Sequence, residues 1–214
     1  MEPEFAENVI PFHPEPAGRR ALSVHISPGQ ALFWEGDEAR QLFRIETGII
    51  RSVNFSSEGE RQVTGFFFPG DVIGVPLGGR CRYTAEAVTE VRYSTQAVEC
   101  WTEELRCTPD FNDTLFGTVR PELEASYMRS LLLGRQGALA RMCSFLADVC
   151  ARLGHGDETV LPMPQTDIAA YLALTPETVC RAFRKLKEIG AVRIEKHDCI
   201  RIVDPGRILS LASH

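Results

Sequence analysis

Near the C-terminal end of the sequence, Glu177, Cys180, Arg181, Arg184 and Lys185 recur at helical intervals. On a helix that spacing gathers them on one outer face, together with Thr178. A carboxylate there can accept from the exocyclic amine of cytosine, and a guanidinium can fork onto O6 and N7 of guanine. Lysine or arginine a turn further on meets phosphate. These are the groups needed by a helix lying in a DNA major groove and reading base edges from its N-terminal turns.

The start of that helix is specified twice, by Thr175 as a good N-cap and by Pro176 at the first helical position. Ahead of it, the run from Gln165 to Leu172 reads as a second short helix, so the stretch from 165 to 184 forms two helices and a tight turn. Ile168, Ala169, Leu172, Leu174 and Val179 stand where the two helices bury residues against each other. Thr166 and Thr175 complete the expected DNA-contacting set. The turn position often held by glycine is Ala173 here, at a cost of about 1 kcal/mol if its backbone is left-handed. After the helices, the segments from Gly190 to Glu195 and from Cys199 to Asp204 alternate with period two and read as a hairpin, the wing of a winged helix.

Upstream elements must position this unit. A helix is expected from Gly137 to Leu153, closed by Gly154 and Gly156. From about Asp110 to Leu133 the apolar residues Phe116, Val119, Leu123, Tyr127 and Leu131 form one stripe of a long helix, with Pro121 expected to kink or break it. A stripe of this kind either packs on a neighbouring domain or pairs with a second copy of the chain, and self-association is the favoured reading. From Ala21 to Ala97 the chain reads as short β-rich runs broken by turns such as Pro28-Gly29, Gly48, Glu58-Gly59 and Pro69-Gly70-Asp71, implying a barrel or sandwich.

Composition limits the partners. The net charge of −6 is unevenly spread: residues 1–134 carry 12 basic and 20 acidic side chains, whereas residues 135–214 carry 11 basic and 9 acidic ones. The C-terminal part is therefore positive by two charges, which suits a DNA-facing domain beside an acidic one. An acidic start, Met1-Glu2-Pro3-Glu4, and the lack of an apolar run near membrane-spanning length point to a cytoplasmic protein without membrane contact. Seven cysteines (Cys81, Cys100, Cys107, Cys143, Cys150, Cys180 and Cys199) form no CxxC pair and suit a reducing compartment, most of them as small core residues.

With these residues in view, the chain resembles the Crp/Fnr superfamily of regulators over nearly its whole length, and within it the FixK-like branch. The resemblance rests on Glu35-Gly36-Asp37, the stretch from Ile45 to Gly48, the stretch from Pro69 to Gly74, and the DNA-reading Glu177-Thr178-Val179-Cys180-Arg181. It implies an α+β fold: an N-terminal β-roll, jelly-roll-like and of the cyclic-nucleotide-binding-domain type, then a long dimerisation helix and a C-terminal winged helix-turn-helix. The divisions are residues 1–20 as an N-terminal arm, 21–109 as the sensor-like roll, 110–134 as the dimerisation helix and 135–214 as the DNA-binding domain. The resemblance further implies a homodimer on double-stranded DNA at a site of the form TTGAT, four base pairs, ATCAA, with RNA polymerase as a partner. It implies activation of microaerobic, denitrification or nitrogen-fixation genes. Where Fnr-like members usually carry serine, this chain has Cys180, a candidate for redox control close to the helix N-terminus.

Cyclic-nucleotide members hold ribose and phosphate through a Gly-Glu-Leu stretch followed by an arginine. Here the stretch from Gly74 to Gly79 has no glutamate, and Arg82 precedes Tyr83-Thr84-Ala85 in a shortened loop, so cyclic AMP is not expected. Oxygen-sensing members need an N-terminal cysteine group for an iron–sulfur cluster, and the first cysteine here is Cys81. His13 and His25 read as surface residues, leaving no cofactor and no metal site expected. No nucleophile elbow, phosphate loop or paired-histidine helix is present, so the chain is not expected to be an enzyme. The alternative function is a regulator whose roll answers to an unidentified small molecule or haem.

Overall fold

The computed structural model describes residues 24–76, 78–107, 111–134, 137–153, 159–196 and 199–212. The expected arm at 1–20, His13, and the glycines at 154 and 156 lie outside the described residues.

Eight strands form the N-terminal roll: β1 (Val24–Ile26), β2 (Ala31–Phe33), β3 (Gln41–Thr47), β4 (Ile50–Phe55), β5 (Arg61–Phe67), β6 (Val72–Ile73), β7 (Thr84–Ala87) and β8 (Val91–Ala97). They make two antiparallel sheets of order β1-β8-β3-β6 and β2-β7-β4-β5. Phe33, Phe43, Ile45, Ile50, Phe67 and Ile73 fill the space between them. The turn into β4 depends on Gly48: its φ is +85°, and a Cβ there would meet the Glu90 carbonyl oxygen at 2.2 Å.

In β5 the two-residue alternation of a strand has an architectural result. Phe67 points into the roll, whereas Phe66 and Phe68 point out of it and join a second core built from the C-terminal helices. The strand is buried on both sides because another domain lies against its outer face.

The roll is followed by α1 (Val98–Cys107), a helix that lies within the stretch expected to belong to the roll. Trp101 and Leu105 of α1 pack with Leu42 and Val75. The long helix α2 (Phe111–Gly134) runs unbroken through Pro121, so the expected break does not occur. α3 (Ala138–Leu153) lies one residue inside its expected start and buries Met142, Cys143, Phe145, Leu146, Val149 and Cys150. β9 (Thr159–Val160), α4 (Gln165–Leu172), α5 (Pro176–Glu188), β10 (Val192–Lys196), β11 (Cys199–Ile202) and α6 (Pro205–Ala212) complete the chain. The expected hairpin is present as β10 and β11, extended by β9 into a three-stranded sheet. Neither β9 nor α6 was expected: one is two residues long, and the other begins at a proline followed by a glycine.

Two further expectations change. Of the six cysteines whose surroundings are described, only Cys143 and Cys150 are buried; Cys81 and Cys180 are half-buried, and Cys100 and Cys107 are exposed on α1. The apolar stripe of α2 also divides. Phe116, Leu123, Tyr127 and Leu131 are 68%, 65%, 62% and 47% exposed, whereas Val119 packs on the α1 cluster with Leu42, Val75 and Trp101. Val119 is therefore a roll contact, because the same turn of α2 that faces α1 carries it inward.

Candidate nucleic-acid interface

The geometry begins with the turn between α4 and α5. Ala173 closes α4 with φ 50° and ψ 51°, the left-handed conformation feared from sequence, and it is the only non-glycine residue with positive φ among those described. The chain then extends through Thr175, whose hydroxyl accepts from the Thr178 N–H at 3.3 Å, with Pro176 in the first position of α5. Both sequence signals for the helix start are thus realised. Ile168, Ala169, Leu172 and Val179 are buried between the helices, and Leu174 packs half-buried against them.

This packing fixes what α5 shows to solvent. Glu177, Arg181, Arg184 and Lys185 are exposed on one face, with Thr175 at the start of the helix and Thr166 exposed on α4. Glu177 sits in the first turn, where the helix dipole favours an anion. Hydrogen bonds from its own backbone N–H and from the Thr175 hydroxyl hold its carboxyl below the usual carboxylate range. Arg181 donates from Nη2 to the Thr178 hydroxyl at 3.2 Å, and the Thr175 and Thr178 hydroxyls lie 3.0 Å apart. The result is a carboxylate, a guanidinium and two hydroxyls held together on the first two turns, with cations further along.

Thr178 and Cys180 do not project as freely as the spacing suggested; both are half-buried. The Cys180 thiol donates to Gln165 Oε1 at 3.1 Å, joining α5 to the first residue of α4. Gln165 is a residue the sequence reading passed over, since a glutamine at a helix start carries no distinguishing pattern.

Asp167 was missed for the same reason, and it governs how the pair of helices is held. Its side chain is only 3% exposed; it pairs with Arg51 of β4 and, at 3.0 Å, with Arg61 of β5. Glu86 of β7 completes the set, 2.8 Å from Arg51 and 3.0 Å from Arg61. Burial opposes ionisation of Glu86, but the two guanidinium groups outweigh it and lower its pKa. Beside this network Phe66, Phe145 and Tyr171 meet at ring-centroid distances of 5.3 to 5.9 Å, and Arg152 of α3 pairs with Asp71 while lying over the Phe68 ring. Burial pushes the Tyr171 hydroxyl up to about 12. A cavity of about 340 Å³ remains at this junction, lined by Met128, Phe145, Asp148, Arg152 and Tyr171 among others.

A β-roll joined through a long helix to a winged helix-turn-helix, with the second helix of the pair facing solvent, defines a DNA-binding regulator. Comparison with known proteins places it more closely. Residues 140–211 match the Crp-like helix-turn-helix domain, and residues 23–95 match the cyclic nucleotide-binding domain. The chain is 32% identical over 200 residues to the nitrogen fixation regulation protein FixK of Rhizobium meliloti, covering 94% of this chain and 92% of that protein. It is 34% identical over 203 residues to the protein of the same name from Bradyrhizobium diazoefficiens, covering 93% and 84%. Among solved structures, FixK2 from Bradyrhizobium japonicum superposes with a TM-score of 0.82 at 28% identity, over 90% of this chain and 98% of that one. The chain belongs to the Crp/Fnr superfamily of transcription regulators, in its FixK-like branch, and is not an enzyme. No helix among the described residues is long and apolar enough to cross a membrane.

Proposed function

We propose that this chain is a cytoplasmic activator that binds a two-fold DNA site of the form TTGAT, four base pairs, ATCAA as a homodimer, and that it controls microaerobic, denitrification or nitrogen-fixation genes together with RNA polymerase. The observation that carries the DNA reading is the solvent-facing row Glu177, Arg181, Arg184 and Lys185 on a helix whose opposite face is fully packed. In this reading Glu177 and Arg181 specify bases, Thr166, Thr175 and Thr178 support them, and Arg184 and Lys185 meet the phosphates.

Dimerisation is supported by α2, whose Phe116, Leu123, Tyr127 and Leu131 stay exposed after the chain has folded. Four large apolar residues on one long helix form a surface that a second copy can cover with its own. The nitrogen-fixation genes are taken from the names carried by the FixK relatives.

Redox control is placed at Cys180. Its thiol already bridges α4 and α5 through Gln165. Each oxygen transferred from peroxide to the sulfur leaves one water behind: the first converts the S–H to a sulfenic acid, and further oxidation to the sulfinic or sulfonic acid brings negative charge towards the DNA face. A mobility shift with the palindromic duplex tests the whole reading. Binding must depend on both half-sites, and in the parent it must fall after peroxide treatment while Cys180→Ser is spared. Equal binding to a scrambled duplex would sink the DNA site, and a parallel loss in the Cys180→Ser protein would remove the switch.

A further inference from the structure

Away from the recognition surface, the roll contains an anion-binding arrangement that the chain fills with its own side chain. At the end of β6, Gly74 takes φ +84°; a Cβ there would meet the Gln41 carbonyl oxygen at 2.9 Å and the Phe43 ring at 3.0 Å. That turn directs the Gly74 N–H at Glu122 Oε1, 3.0 Å away, and the next backbone N–H, that of Val75, favours the charged form of the same carboxylate. The Tyr83 hydroxyl donates to the same oxygen at 2.8 Å. Its ring is fixed between Phe33, at 5.4 Å, and Phe67, stacked at 5.9 Å. Arg82 adds a favourable positive field.

Two hydrogen-bond donors from two separate loops therefore converge on one carboxylate oxygen, and that carboxylate comes from α2, directly after Pro121. These loops are the same stretches, after β6 and before β7, that lack a ligand-binding glutamate and carry a shortened Arg82 loop. Burial raises the Glu122 pKa and prevails, while Tyr83 and the backbone N–H groups act in the opposite direction and offset part of the cost of holding a charge there.

We propose that Gly74, Val75 and Tyr83 form a carboxylate-binding site of the roll and that Glu122 is its tethered ligand, fixing α2 to the roll without a small-molecule effector. The link from this site to DNA rests on the reading that α2 forms the dimer seam. The site itself does not, which sets the design of the test.

Thermal melting and titration of the palindromic duplex are compared for the parent, Glu122→Ala and Glu122→Ala/Tyr83→Phe, with sodium acetate or formate against sodium chloride at equal ionic strength. Glu122→Ala should melt lower than the parent and bind DNA about tenfold more weakly, the loss of a charge-assisted hydrogen-bonded group. Acetate or formate should restore both saturably, and chloride should not. Tyr83→Phe should abolish the rescue. A Glu122→Ala protein that melts and binds like the parent, or one that acetate and chloride affect alike, would overturn the inference. If Glu122→Ala does not fold, the cycle of Glu122→Gln, Tyr83→Phe and the double variant replaces it. Melting losses that are not additive support a single cradle, and strictly additive losses overturn it. Because melting is read without DNA, a failure of all variants and the parent to bind the duplex would strike the functional reading alone.

Discussion

Two helices of the same domain, separated only by the turn at Ala173, use their charges in opposite ways. On α5, Glu177, Arg181, Arg184 and Lys185 face solvent. On α4, Asp167 is sealed against the roll and shared between Arg51 and Arg61, which in turn share Glu86. Desolvating a charge costs several kcal/mol, so a buried one persists only when its partners are in place, and those partners then fix geometry. An exposed charge pays no such penalty and is free to meet a partner from outside. The α4 network orients the domain, and the α5 row is what that orientation presents.

The largest expected effect comes from breaking the buried side of this contrast. Asp167→Ala leaves two guanidinium groups at the junction with only Glu86 to serve both. Loss of one partner from a buried network costs about 3 to 5 kcal/mol, and the remaining Glu86 places this case near the lower end. Urea denaturation should register that loss, while the base preference of whatever DNA binding survives stays as in the parent. An altered base preference would mean that α4 and α5 are not separable in this way.

Next in size is the exposed stripe on α2. Leu123→Glu and Leu131→Glu each place a charge in the proposed seam. Sedimentation should report monomers, and affinity for the palindrome should fall about 10²-fold as the second half-site is lost. Variants that still sediment as the parent and still bind would put the seam elsewhere.

Smaller and more selective is the effect of the recognition row. Arg181→Ala should cost about 1 to 3 kcal/mol and relax preference at one base pair without changing the urea midpoint. Lys185→Ala should weaken all duplexes alike and flatten the salt slope by about one unit. Equal losses on specific and random DNA for Arg181→Ala would assign it to the backbone instead.

The same contrast explains what was readable in the sequence. The recognition helix could be read because its signals are local: Thr175 and Pro176 mark its start, and helical spacing alone puts Glu177 and Arg181 on one face. The left-handed Ala173 and the hairpin after Gly190 were legible for the same reason. The Asp167 network was not, because its arginines lie 106 and 116 residues away in sequence and no pattern links them. Glu122 is 48 residues from Gly74 and 39 from Tyr83, and on α2 it reads as an ordinary helix carboxylate. Val119 and Leu123 share a periodic stripe, yet only the tertiary position of α1 sends one inward and leaves the other exposed.

The smallest effect tests whether the turn between the two helices merely joins them. Ala173 holds a left-handed backbone, with φ 50°, that costs a non-glycine residue about 1 to 2 kcal/mol. Glycine removes that cost but adds about 0.4 to 1 kcal/mol of unfolded-chain entropy. Ala173 is exposed, so replacing it forfeits no buried methyl contact. The strain relief is the larger of the two, and Ala173→Gly should therefore raise stability by about 0.5 to 1 kcal/mol in urea denaturation. The backbone bonds that shape the turn, including the Leu174 N–H to the Ala169 carbonyl at 2.9 Å, do not involve the lost methyl. DNA affinity and the base preference set by Arg181 should stay unchanged. A less stable glycine variant would show that the left-handed cost is already offset locally. A more stable variant with altered base preference would show that the stiffness of alanine at this turn, and not the Asp167 network alone, sets the angle at which α5 is presented.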